Sequence, residues 1–209
     1  MKICGLTRAI DAEYADAAGA SYLGVIFAGG PRHRSPADAR AVLAGRRARK
    51  VGVFGDQSPT EIGEVAREVG LDVAQLHGTP DVDRVKAVRA ATGLEIWAVV
   101  RTADGRLPAG TEDVADAADA VLVDALGPGA LGGTGTTVPW VVLGEELDAM
   151  EHGHRVVLAG GLTADNVAEA IDYVSPMVVD VSSGVESSPG IKDHTRIRAF
   201  VAAVRATRE

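Results

Sequence analysis

The sequence has one cysteine, Cys4, and a single thiol excludes any disulfide within the chain. No apolar run reaches the ~18 residues that a membrane-spanning helix needs, so no membrane partner is expected. The chain opens on Met1-Lys2-Ile3-Cys4 instead of a basic stretch with a long apolar core, so no secretory signal is expected and the expected location is cytoplasmic. Basic residues are outnumbered by acidic ones, 21 to 29, and a formal net charge of -8 repels a phosphate backbone from most of the surface. The one basic cluster, Arg46, Arg47, Arg49 and Lys50, lacks interleaved aromatics and reads as a solvated loop, so no nucleic-acid partner is expected. Metal-ligand spacing is missing too: among His77, His152, His154 and His194 no two stand as His-x-x-x-His. No strand-linked Gly-x-Gly-x-x-Gly with an acidic partner occurs, which argues against a nicotinamide. Neither metal nor cofactor is expected.

What remains is an ordinary soluble globular mix, 46% apolar and 24% charged, in 209 residues that can bury one full core. A single domain over 1–209 is expected, with no linker or low-complexity tract. Eight short, largely β-branched runs recur: Lys2 to Cys4, Tyr22 to Phe27, Lys50 to Phe54, Val73 to Leu76, Glu95 to Val100, Ala120 to Val123, Arg155 to Ala159 and Met177 to Val181. Such continuous apolar runs mark parallel strands buried on both faces, whereas one-sided sheets alternate.

Helix-start chemistry fills the intervals. Ser58-Pro59-Thr60-Glu61 places a hydroxyl at the cap, proline at the first helical position and a carboxylate three residues on. Ser35-Pro36 and Thr79-Pro80 repeat that opening, and Thr163-Ala164-Asp165-Asn166 begins a helix that ends near Tyr173. Asp193 to Ala206 has the apolar spacing of a last amphipathic helix. In the fifth crossover Gly105, Pro108 and Gly110 leave room only for a short helix, Thr111 to Ala118. Eight strand–helix units at a period of roughly 25 residues predict a closed (β/α)8 TIM barrel of the α/β class, with an open doubly wound sheet as the runner-up.

In such a barrel the C-terminal strand ends carry the chemistry. Those positions hold Cys4 at the end of the first strand, Arg32 after the second, Gln75 and His77 at the fourth, Asp124 at the sixth, and Asp180, Ser182 and Ser183 at the eighth. Glycine concentrates in the last three loops, as Gly132-Gly133-Thr134-Gly135, Gly160-Gly161 and Ser182-Ser183-Gly184. Bare amides and hydroxyls near helix N-termini hold anions, and the loops after the seventh and eighth strands are the usual phosphate site of this architecture. Each residue also has an ordinary reading. A glycine pair is usually a turn, a free cysteine a small buried hydrophobe, a lone histidine a space-filler, and Arg32 beside His33 and Arg34 a solvated cation. Their convergence on one end of the barrel favours a phosphorylated small molecule as the partner.

Five ordered motifs carry a resemblance. Lys2-Ile3-Cys4-Gly5-Leu6-Thr7, Gln75-Leu76-His77-Gly78, Asp124 with Gly132-Gly133-Thr134-Gly135, Gly160-Gly161, and Asp180-Val181-Ser182-Ser183-Gly184-Val185-Glu186 are similar to those of the phosphoribosylanthranilate isomerase family of tryptophan biosynthesis. The resemblance covers essentially the whole chain. It implies an Amadori rearrangement of N-(5-phosphoribosyl)anthranilate to 1-(2-carboxyphenylamino)-1-deoxyribulose 5-phosphate, without cofactor. It also implies Cys4 as general base, Asp124 as general acid and Arg32, counted from Ser35-Pro36, as the holder of the anthranilate carboxylate. Phosphate binding falls to Gly133, Gly135, Gly160, Gly161, Ser182, Ser183 and Gly184, while His77 and Asp180 line the sugar site. The chemistry needs a carboxylic acid that keeps its proton and a thiol that loses one, the reverse of their habits at pH 7. Desolvation is expected to supply the first and nearby cations or helix N-termini the second, giving a bell-shaped kcat/KM profile.

Two other readings stand beside this one. The related histidine-pathway isomerase, or a dual-substrate enzyme, resembles a pair of aspartates at the first and sixth strands, where this chain has Cys4 and Asp124. Its larger substrate wants a second phosphate site after the third and fourth strands, where Phe54-Gly55-Asp56-Gln57 offers one glycine. A catalytically silent barrel that binds a phosphorylated metabolite is the remaining alternative. A monomer is expected.

Overall fold

The computed structural model describes residues 1–125, 139–150 and 153–207. Its elements run β1 (Lys2–Ile3), α1 (Ala9–Ala18), β2 (Tyr22–Ile26), α2 (Pro36–Leu43), β3 (Arg49–Phe54), α3 (Pro59–Val69), β4 (Val73–Leu76) and α4 (Val82–Thr92). They continue through β5 (Glu95–Arg101), α5 (Thr111–Ala117), β6 (Ala120–Asp124), α6 (Trp140–Asp148), β7 (Val156–Ala159), α7 (Val167–Val174) and β8 (Val178–Val181). A short 3-10 turn at Ser183–Val185 leads into a small antiparallel hairpin, β9 (Glu186–Ser188) and β10 (Ile191–Lys192), before α8 (His194–Ala206). Strands β1 to β8 pair in parallel and close, with Lys2 of β1 beside Asp180 of β8. That last pairing makes the sheet a (β/α)8 barrel and excludes the open doubly wound sheet.

Alternation along the strands separates the two larger clusters of the core. On β5, Ile96 and Ala98 join the large cluster beneath the helices, while Trp97 and Val99 belong to a second cluster with Tyr22, Val51, Val73 and Leu122 that fills the barrel interior. Both faces are dry, which is why the strands read as continuous apolar runs. No described helix is long and apolar enough to cross a membrane.

Local chemistry sets most helix starts. Ser58 and Glu61 exchange hydrogen bonds as a capping box, and Ser35 Oγ accepts from the Asp38 N–H at 3.2 Å. Two openings differ from the sequence reading. Thr79 takes a left-handed φ of 54°, so the N-cap of α4 is Asp81, whose carboxylate accepts from the Arg84 N–H. The turn at Thr163 is closed by Asn166 Oδ1, which accepts from the Thr163 N–H, and α7 starts only at Val167. The basic cluster is also not wholly loop: Arg49 begins β3, pairs with Glu95 at 2.6 Å and lies over the Tyr22 ring.

Candidate active site

In β1 and just beyond it, Lys2 and Cys4 are two residues apart and so face the same side, into the barrel. Gly24 of the neighbouring β2 makes space for both. A Cβ at that glycine would stand 2.8 Å from Cys4 Sγ and 3.0 Å from Lys2 Cε. Lys2 is fully buried, and its ammonium group donates to three acceptors: Asp180 Oδ2 at 2.6 Å, Gln75 Oε1 at 2.7 Å and Cys4 Sγ at 3.1 Å. An ammonium has three N–H bonds, and all three are used.

Above this hub a cavity of about 350 Å³ opens at the C-terminal ends of the strands. Cys4, Gln75, His77, Asp124 and Asp180 line it, together with Gly160, Gly161, Ser182, Ser183 and Gly184. The structure therefore brings most of the residues singled out in the sequence to one chamber. Gly133 and Gly135 lie outside the described residues. Arg32 is not among the lining residues: its guanidinium forms a two-pronged pair with Glu186, at 2.8 and 2.7 Å, beside Gly5 and Ser182.

The glycine loops are shaped by close approach. Gly160 and Gly161 adopt φ of +98° and +63°, the left-handed region that favours glycine. A Cβ on Gly184 would lie 2.0 Å from the carbonyl oxygen of Leu162, so the loops after β7 and β8 can touch only because that residue has no side chain. Backbone from both loops thus reaches the cavity wall.

Electrostatics in the chamber are uneven. Burial opposes the charge on Lys2, yet Asp180 and then Cys4 outweigh it and hold the ammonium above the usual lysine value. For Cys4, burial pushes the thiol up, Lys2 pulls it down and Asp180 pushes it up again, with a net upward result. The expectation that nearby cations or helix N-termini favour the thiolate is thereby corrected: Lys2 does pull the thiol down, but desolvation and a neighbouring carboxylate exceed it. His77 is pushed down, first by burial and then by Arg101, against the pull of Asp124, so its ring is neutral at pH 7. Two buried polar atoms in this region, Asp180 Oδ1 and His77 Nδ1, have no hydrogen-bond partner among the described residues.

Sequence reading missed Lys2 as a site residue, along with the support around Arg32. Glu186 is held ionised, against its burial, by Arg32 and by Lys192, whose ammonium lies 2.9 Å away and also donates to the Ser182 carbonyl. Arg32 and Glu186 are 154 positions apart, and only the closed barrel makes them neighbours.

The family whose profile matches residues 1–203 is N-(5'phosphoribosyl)anthranilate (PRA) isomerase. The chain is 41% identical over 209 residues to the N-(5'-phosphoribosyl)anthranilate isomerase of Trichlorobacter lovleyi, covering 96% of this chain and 95% of that protein. It is similar to the crystal structure of phosphoribosyl anthranilate isomerase from Thermotoga maritima, with a TM-score of 0.87, 33% identity and 98% of each chain covered. A phosphoribosyl anthranilate isomerase solved with reduced 1-(o-carboxyphenylamino)-1-deoxyribulose 5-phosphate also matches, with a TM-score of 0.82, 31% identity and coverage of 98% of this chain and 97% of that one.

Proposed function

The chain belongs to the N-(5'-phosphoribosyl)anthranilate isomerase family, and on that premise we propose that it carries out the Amadori rearrangement of N-(5-phosphoribosyl)anthranilate in tryptophan biosynthesis. The carrying observation is that Cys4 and Asp124 line the same cavity as the loops at Gly160–Gly161 and Ser182–Gly184. One acid, one base and one anion cradle around a single space are what the reaction asks for.

In this proposal Asp124 gives a proton to the ring oxygen, the C1–O bond breaks and an iminium forms at C1. Cys4 then takes the proton from C2, the electron pair moves into the C1–C2 bond, and the enol tautomerises to the ketone. The phosphate is held by Gly160, Gly161, Ser182, Ser183 and Gly184, with Gly133 and Gly135 assigned by family resemblance. Asp180 Oδ1 and His77 Nδ1 serve the sugar hydroxyls, as buried polar atoms with hydrogen-bonding capacity to spare. Arg32 takes the anthranilate carboxylate, oriented from behind by Glu186.

One feature disfavours the larger histidine-pathway substrate. In the loop after β3 several polar groups are already engaged: the Gly55 N–H donates to Gln57 Oε1, and Arg84 caps the Gly55 and Gln57 carbonyls. A monomer is proposed because, among the described residues, the large exposed apolar side chains, Ile10, Val141, Tyr173, Met177 and Ile191, come from separate stretches of the chain. Sedimentation at micromolar concentration checks it.

Two variants test the chemistry. Cys4→Ser and Asp124→Asn should each lower kcat/KM by roughly a hundredfold or more; full activity in both would overturn the assignment. The gene should restore growth to a tryptophan auxotroph and not to a histidine auxotroph. Restoration of neither would favour the silent barrel.

A further inference from the structure

Lys2 is a buried charge at the site that the proposed reaction does not use directly. All three of its protons are committed inside the protein, so it has none left to offer a substrate. Fold stability is a weak reason for it, since replacing a buried ion pair by apolar groups of the same volume is often neutral or stabilising. Its contacts suggest another: two of them, to Gln75 and Asp180, tether the ammonium from β4 and β8, and the third points it at the sulfur of Cys4.

We propose that Lys2 is a positioning residue for Cys4, orienting the sulfur and supplying the positive charge that lets it exist as a thiolate when the proton at C2 is removed. The proposal rests on the reading of Cys4 as the base. In that step the C2–H bond breaks, an S–H bond forms, and the electron pair enters the C1–C2 bond and cancels the charge on the iminium nitrogen. Lys2 keeps its proton throughout.

The groups around the sulfur support this division of labour. On β1 Lys2 stands 3.1 Å away, and on β8 Asp180 carries the opposing charge. Lys192 from the hairpin and Arg32 from the loop after β2 are further cations, while His77 lies beyond, near Lys2 and Asp180. Across the chamber, Asp124 shares the cavity wall. Nearest on β2 is Gly24, which brings no charge, and on β4 Gln75, which is neutral. Lys2 is the strongest influence that lowers the thiol, against burial and Asp180, so losing it can only move the thiol further up.

Because Cys4 is the only cysteine, the ultraviolet difference against pH between each protein and its Cys4→Ser counterpart isolates the thiolate from the three tyrosines, whose phenolates absorb in the same region. Lys2→Met strands Asp180 in the interior, so Lys2→Met/Asp180→Asn is prepared beside it to keep a folded variant in hand, each checked by circular dichroism. The thiol midpoint should rise by about one unit or more in Lys2→Met and by less in the double variant. In Lys2→Met kcat should fall about tenfold per unit at pH 7 with KM little changed, and the thiol limb of the kcat/KM profile should move to higher pH. A folded variant whose thiol titrates as in the parent overturns the role of Lys2. A raised midpoint with kcat untouched keeps the link between Lys2 and the sulfur but overturns Cys4 as the base.

Discussion

Glu95 at the base of the barrel and Asp180 near its mouth are both carboxylates on inward-facing strand positions, and they are treated in opposite ways. Glu95 Oε1 accepts from Trp97 Nε1 and pairs with Arg155, while Oε2 pairs with Arg49 at 2.6 Å. Around them Tyr22 and Trp97 pack edge to face, so the base is a closed network with its polar atoms engaged. Asp180 has one oxygen on Lys2 and the other without a partner among the described residues, in a wall that includes the glycines and serines of the loops after β7 and β8. A finished network holds a fold together, whereas an unfinished one leaves hydrogen-bonding capacity for something that arrives later. The base is built for stability and the mouth for a ligand.

Breaking the base should have the largest effect on the fold. Trp97→Ala removes the largest fully buried side chain and should cost about 3–5 kcal/mol in denaturant unfolding, with kcat/KM per folded molecule preserved. A cost near zero would contradict the comparison. Glu95→Gln should cost about 1–3 kcal/mol, because Arg49 and Arg155 lose a common charged partner.

Extremes of pH should separate Glu95 from Lys2. Glu95 is held below the ordinary carboxylate range: burial raises it, but Trp97 and Arg49 lower it more. Its contribution is therefore complete above pH ~4 and is lost as pH falls through the depressed value. Lys2 is raised, so its contribution is complete below pH ~10 and is lost as pH climbs past the raised value. Acid should weaken the Glu95 network and, beside the mouth, the Arg32–Glu186 pair, while alkali should weaken the Lys2 hub; Glu95→Gln should flatten part of the acid side of a stability curve and leave the alkaline side unchanged. Ser183→Ala should have the smallest effect on folding, within about 0.5 kcal/mol, yet raise KM roughly tenfold, about 1.4 kcal/mol of binding. An unchanged KM would remove Ser183 from the phosphate site.

Much of this division is legible in the sequence. Runs of β-branched residues locate each of the eight barrel strands to within one residue, because a strand dry on both faces admits little else, whereas the short hairpin β9–β10 carries no such run and is missed. Local caps such as Ser58 and Glu61 are equally readable, since the partners are three residues apart. Thr79 misleads because its left-handed backbone hands the cap to Asp81. At the site, Cys4, His77, Asp124 and Asp180 are found from their places at strand ends. Lys2 is missed for a physical reason. A lysine opening a strand reads as solvated, and only the pairing of β1 with β8 sets it beside Asp180 and across from Gln75. The support behind Arg32 is missed for the same reason, since closure of the barrel supplies Glu186 from far along the chain.

The most direct measurement is a crystal structure of this protein with the reduced product analogue bound. The account predicts phosphate on the loops at Gly160–Gly161 and Ser182–Gly184, with Cys4 Sγ facing sugar C2 and the Asp124 carboxyl touching the same sugar. An analogue seated away from this chamber, or one whose sugar contacts only one of those two side chains, would contradict it.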